Sequence, residues 1–242
     1  MIKSGFRFGN KGTWDFDMKV EKLPALRGGA RKRTSTDVAG RNGTLHVTQN
    51  AFSNYIQPYD CYFHSAVPAP EQAHAIRSWL MCTGAYCRLE DTYDPKYYRL
   101  ATFAGPLDIE NVWNKYGRCT VNFDCDPRYF LKSGEAALTF TEAGQLMNPT
   151  AFTALPLITV YGTDAGTVTV GTATVDIRTI TDPIILDCEL QHAYSQPGEG
   201  APDSKNGSIK AIPFPTLAPG SNPIAFSGGI TKIEIIPRWW EL

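Results

Sequence analysis

Thr167-Val168-Thr169-Val170-Gly171-Thr172-Ala173-Thr174-Val175-Asp176-Ile177 alternates apolar and polar side chains on both sides of a glycine-led pair. Alternation with period two puts Val168, Val170, Val175 and Ile177 on one face of a hairpin. Glycine at the first turn position suits the tight reversal such a hairpin needs. The surrounding runs at 155–161, 184–190, 207–212, 222–227 and 230–236 are short and β-branched, with Gly, Pro and Asn clusters between them. That spacing predicts a β-sandwich. Residues 196–204, Gln-Pro-Gly-Glu-Gly-Ala-Pro-Asp-Ser, are too polar and too rich in Gly and Pro to pack, and read as an exposed loop.

Upstream, the pattern changes. Phe6 and Phe8 form one alternating segment, and Trp14, Phe16 and Met18 form another, across Gly9-Asn10-Lys11-Gly12. A loop is expected at 25–43, then strands at 44–48, 55–64, 85–90, 97–104, 107–113 and 117–125. One helix is expected at 70–82. Pro70 suits its first turn, Glu71 its positive dipole end, and Ala73, Ile76, Trp79 and Leu80 make its apolar stripe. Gly84 is the expected stop. The expected fold class is therefore mainly β, a helix-bearing first domain followed by a purely β second one.

With 242 residues the chain has room for two domains that each bury a core. Their charges differ. Residues 1–134 carry 18 Lys/Arg and 13 Asp/Glu, whereas residues 135–242 carry 5 and 11, so a net charge of −1 hides an asymmetry. The expected domains are 1–134 and 135–242, with the boundary at Lys132-Ser133-Gly134 or within 143–149. The near-neutral total speaks against a dedicated nucleic-acid binder. No apolar run approaches the roughly 18 residues of a membrane span. The segment Met1 to Arg7 lacks a hydrophobic export signal, which speaks against secretion by the usual route.

Chemistry is sparse. Cys61, Cys82, Cys87, Cys119, Cys125 and Cys188 include no CxxC pair, so buried free thiols are expected and no metal site. His46, His64, His74 and His192 show no ligand spacing, and Ser65 beside His64 makes no triad. Asp124 and Asp126 share a strand face, a pattern that a solvated outer face shows as readily as a catalytic pair. Glu90, Asp91 and Asp94 read as a hydrogen-bonding turn. No catalytic residue, cofactor or phosphate loop is expected, and the chain does not read as an enzyme.

Two features invite a binding role. Arg27, Arg31, Lys32, Arg33 and Arg41 put five cations against the single anion Asp37 within 27–41. Such a run reads as a solvated loop, or more sharply as a contact with an acidic partner or nucleic acid. Trp239 and Trp240 are adjacent and invite a sugar-stacking reading; on a strand they face opposite ways, one into the core and one to solvent or an interface.

Gly40-Arg41-Asn42-Gly43 resembles the turn of the distal tail proteins of long, non-contractile phage tails. The resemblance continues in order through 89–99, 121–130, Asn148-Pro149-Thr150 with 156–162, Asp187-Cys188-Glu189, 214–222 and Ile236-Pro237-Arg238-Trp239-Trp240. It implies an N-terminal split β-barrel with one α-helix that assembles into a homo-hexamer, as one ring or stacked rings. It further implies a C-terminal galectin-like β-sandwich projecting outward. The implied partners are the tail tube protein, a tail-tip protein, a receptor-binding protein and DNA passing through the bore. The implied location is the virion's distal tail or baseplate, after synthesis in the host bacterial cytoplasm. On this reading the five cations and the two tryptophans are interface candidates. The alternative is a lectin-like host-adhesion module.

Overall fold

The computed structural model describes residues 4–196, 200–210 and 213–242. Residues 197–199 of the expected loop and 211–212 of the run at 207–212 lie outside these. The chain forms two compact units, Met1–Tyr129 with Leu242, and Phe130–Glu241.

The first unit contains β1 (Phe6–Phe8), β2 (Lys11–Gly12), β3 (Met18–Val20), β4 (Arg31–Asp37), β5 (Thr44–Phe52) and β6 (Tyr55–His64). After α1 (Ala69–Met81) come β7 (Cys87–Asp91), β8 (Tyr97–Phe103), β9 (Ile109–Trp113) and β10 (Tyr116–Cys125). An antiparallel sheet in the order β2-β1-β7-β8-β10-β6-β3 curls into a half-barrel, and β9 pairs with β10. Alternation does the sorting. Tyr55, Gln57, Tyr59, Cys61 and Phe63 of β6 face inward, opposite Gly117, Cys119, Val121, Phe123 and Cys125 of β10.

α1 closes this core with Ile76, Trp79 and Leu80. It begins with proline in its first turn, as expected, and ends at Met81, with Cys82 as its C-cap, before Gly84. Trp79 stacks on Phe16 at 4.7 Å, and its indole N–H donates to the Phe8 carbonyl at 3.1 Å. Each such buried aromatic stabilises the unit by roughly 1.5–3 kcal/mol. Phe16 is not on a strand, contrary to expectation. Thr13–Phe16 forms a 3₁₀ turn, which swings Phe16 onto the helix while Met18 alone continues into β3.

Behind the core, Arg99 and Asp91 form a buried ion pair that shares the Tyr59 hydroxyl. Burial opposes the guanidinium charge, yet Tyr59 and Asp91 beside it hold it above its ordinary value. Asp91 also accepts the backbone N–H groups of Tyr93 and Asp94, so the expected acidic turn is an Asx turn rooted in the core.

Among the described residues the second unit has strands and short 3₁₀ turns joined by loops, and no α-helix. The chain enters it within β11 (Tyr129–Leu131). There follow β12 (Leu138–Phe140), β13 (Gly144–Asn148), β14 (Leu157–Val170), β15 (Ala173–Ile177), β16 (Ile184–Asp187), β17 (His192–Ser195), β18 (Asp203–Ser204), β19 (Ile209–Lys210), β20 (Gly220–Ile236) and β21 (Trp240–Glu241). The hairpin at Gly171 forms as expected, with Gly171 at φ +62° between β14 and β15.

The runs at 222–227 and 230–236, expected as separate strands, belong to one long β20. It pairs with β14 along most of its length. Both strands shift register near Gly162–Gly166 and bend there. One arm of the pair carries β12, β16, β17 and β18; the other carries β13, β15 and β19. Ile158, Val160, Val168, Val170, Ile224 and Ile233 bring the two arms onto one core.

Candidate interaction surface

Between β3 and β6 the chain leaves the half-barrel. Residues expected as a loop instead include β4, which pairs antiparallel with β5 as an isolated two-stranded sheet. The polar run Arg-Lys-Arg-Thr-Ser-Thr-Asp shows no hydrophobic alternation, so only backbone pairing with β5 marks it as a strand. The nine residues of β5 give the ribbon a reach of about 30 Å. Its tip is the turn 38–43, where Arg41 N–H bonds the Val38 carbonyl at 3.1 Å and Gly40 and Gly43 have positive φ. Its root is fixed by the Ser53 amide on the Ala30 carbonyl at 2.9 Å. Gly29 lies so close to the Ser53 carbonyl that a Cβ there would stand 2.3 Å from it.

Every residue of β4 and the first seven of β5 are exposed. The faces differ. Register puts Leu45 and Val47 beside Thr36 and Thr34 on one face, with Leu45 38% and Val47 57% exposed. The opposite face holds Ser35 bonded to His46 Nδ1 at 2.9 Å and Thr44 bonded to Asp37 at 2.8 Å. Arg31, Lys32 and Arg33 stand together at the root, where a register irregularity falls between Arg31 and Arg33. A two-stranded ribbon bare on both faces is marginal in water, so this one fits a partner that covers it.

The interface candidates divide. Arg31, with its guanidinium 4.7 Å from the Phe52 ring centroid, joins Lys32 and Arg33 on β4, and Arg41 is at the tip. Arg27 lies apart, on the segment that precedes the ribbon. It reaches the Ile56 carbonyl at 3.4 Å, and its own carbonyl accepts the Tyr129 hydroxyl. Trp239 is no surface residue: it is 4% exposed, within the core of the second unit. Trp240 is half-buried, stacked on Phe152 at 4.4 Å, with its indole N–H on the Thr153 carbonyl at 3.0 Å. Sequence reasoning missed Leu45 and Val47, although their alternation across the turn from Thr34 and Thr36 was the available signal.

Asp126 binds Arg128 Nε at 2.9 Å as a local turn, and Asp124 does not join it. Among the described residues no three His, Cys, Asp or Glu side chains cluster as metal ligands. All six cysteines are free. Cys61, Cys119, Cys125 and Cys188 are buried, but Cys82 is exposed at the end of α1 and Cys87 is half-buried, which corrects the expectation of six buried thiols. No described helix is long and apolar enough to cross a membrane.

No family model matches the sequence, and no curated protein matches it. Among solved structures, the chain is similar to the Dit protein of phage SPP1, described as a paradigm of the hub adsorption apparatus in phages that infect Gram-positive bacteria. The match has a TM-score of 0.69 at 12% identity and covers 98% of this chain and 99% of that one. The chain therefore has the fold of a phage distal tail protein. The mainly β architecture is met, and the split β-barrel with one helix that the resemblance implied is observed as a curled half-barrel sheet with one helix.

Proposed function

We propose that this chain is a structural subunit of the distal end of a long phage tail, where its first unit closes into a homo-hexameric ring. The ring joins the tail tube protein to the tail-tip protein, and DNA passes through its bore. The uncovered β4–β5 ribbon carries this reading. A ring needs a front that differs from its back, so that each copy engages the next by the same rotation until the circle closes. A bare hairpin projecting from a half-barrel supplies such a front. Seating Arg31, Lys32 and Arg33 against a neighbour also keeps them away from passing phosphates, which bind Lys and Arg strongly at moderate salt.

The second unit, galectin-like by resemblance and acidic in balance, serves in this proposal as a platform for a receptor-binding protein. Fold alone assigns no sugar site to it, and the placement of Trp239 in the core removes part of the ground for the lectin alternative. The work is done by surfaces, in the virion, after synthesis in the bacterial cytoplasm.

Electron microscopy and mass photometry of the purified full chain test the proposal. Six-fold rings with a central hole and six times the chain mass are expected. A chain that stays monomeric at all concentrations, and is solitary in the assembled particle, overturns it.

A further inference from the structure

Between β3 and the ribbon, residues 23–27 run beside the half-barrel as a strap. Three bonds hold it. Gln57 Nε2 donates to the Ala25 carbonyl at 3.2 Å, the Tyr129 hydroxyl to the Arg27 carbonyl, and Arg27 Nη1 to the Ile56 carbonyl at 3.4 Å. With the sheet it encloses a pocket of about 320 Å³, lined among others by Leu23, Pro24, Leu26, Asp94, Arg99 and Tyr129. The floor is charged and the mouth apolar: Arg99 is 5% exposed, whereas Leu23 is 75% and Leu26 89% exposed.

The floor is an ion pair with one side spent. Asp91 Oδ2 accepts the Tyr59 hydroxyl and Arg99 Nη2, and its Oδ1 accepts the Tyr93 and Asp94 amides. Arg99 gives Nη2 to both Asp91 and Tyr59, and among the described residues no hydrogen bond reaches its Nε or Nη1. No sealed Arg99 atom goes without a partner, so these two nitrogens keep an open face. A guanidinium has five N–H donors, and the three on Nε and Nη1 are unspent. An acceptor oxygen entering the pocket meets them in surroundings where a hydrogen bond is strong.

Charge decides which oxygen. One guanidinium stands against two carboxylates, Asp91 and Asp94, so the pocket is negative in balance and repels an anion. The carbonyl of an amide is an acceptor without that penalty. A ligand no larger than the pocket would leave Leu23 and Leu26 bare. A polypeptide running across the mouth covers both, as near-neutral apolar contacts shield the central one in an interface.

We propose that this pocket receives the side-chain amide of a Gln or Asn residue of a partner protein. Its carbonyl lies on Arg99, and neighbouring apolar residues of the same segment lie against Leu23 and Leu26. The site is independent of how copies of the chain meet.

Calorimetry of the full chain with three capped pentapeptides tests it: Leu-Ser-Gln-Ser-Leu and its counterparts with Glu or Leu at the centre. The Gln peptide binds at least tenfold tighter than either. Leu26→Asp, at an exposed position, weakens all three at least threefold, and Arg99→Lys, which keeps the charge and loses Nε–H, abolishes the preference for Gln. Equal or tighter binding of the Glu peptide, equal binding of the Leu peptide, no binding at millimolar concentration, or an unchanged affinity in Leu26→Asp each overturns the site. If free butyramide, the Gln side chain alone, binds as tightly as the peptide, a small amide is the ligand and the partner segment is overturned. If the Gln peptide breaks up assemblies of the wild type, a second copy is the occupant and a separate partner is overturned.

Discussion

Arg238 occupies a left-handed conformation, φ +57°, that a non-glycine residue adopts only when its surroundings hold it there. What holds it is Asp187: Nη1 meets Oδ1 at 2.9 Å and Nη2 meets Oδ2 at 3.1 Å. The same carboxylate accepts the Glu189 and Leu190 amides. Burial works against the Asp187 charge, but the Arg238 bonds and these amides prevail and keep its carboxyl below the usual carboxylate range. A carboxyl lowered on folding contributes stability above its unfolded pKa of about 3.9, and that stability is lost as pH falls through the lower folded value. Asp187→Asn should cost about 2 kcal/mol at pH 7 and little at pH 2.5, read by urea unfolding at both pH values. An equal cost at both would show that the charge is not what matters. Thiols divide on the same principle. Burial pushes Cys119 up to about 11 and Cys125 and Cys188 up to about 12. At pH 8 a thiol reagent should therefore modify Cys82 first, leave those three unmodified in the folded protein, and reach all six on denaturation.

At the scale of elements, legibility followed burial. β6 and β8 could be read to within a residue, because one buried face writes an apolar residue at every second position, as Tyr59, Cys61 and Phe63 show. β4 could not be read, because neither of its faces is buried and nothing selects for alternation. The cations of the site were visible as one cluster, but its shape was not, since a solvent-exposed ribbon and a solvated loop share one composition. Gly228-Gly229 misled in the other direction. A glycine pair normally punctuates strands, yet here it lets two backbones touch. Gly228 has φ +73°, and a Cβ on it would stand 2.4 Å from the Ala165 carbonyl, while one on Gly229 would meet Asp164 backbone at 2.7 Å. Gly228→Val should destabilise the second unit by about 3 kcal/mol or more, lowering the melting transition that reports this unit. Gly207→Ala, at a site with open space, is the control and should be nearly neutral.

For the whole molecule, the ribbon separates folding from assembly. Its apolar residues take no part in the core of either unit. Replacing 31–52 with a short Gly/Ser linker should therefore leave the circular dichroism spectrum and the melting of both units nearly unchanged while abolishing oligomers. Loss of folding along with assembly would place the ribbon inside the unit's own stability. The contrast in charge between the halves acts at this scale too: the cations are concentrated where copies are proposed to meet, and the acidic half is left to other partners.

The central strands of the second unit decide how it would carry load in the tail role proposed above. β14 and β20 each cross from one arm of the sheet to the other without a break. A load hung on one arm is thus carried into the other by two continuous polypeptide backbones and the hydrogen bonds between them. Sliding one arm past its mate would mean tearing that central pair along its length, so the unit should resist shear and, once it yields, rupture as a whole.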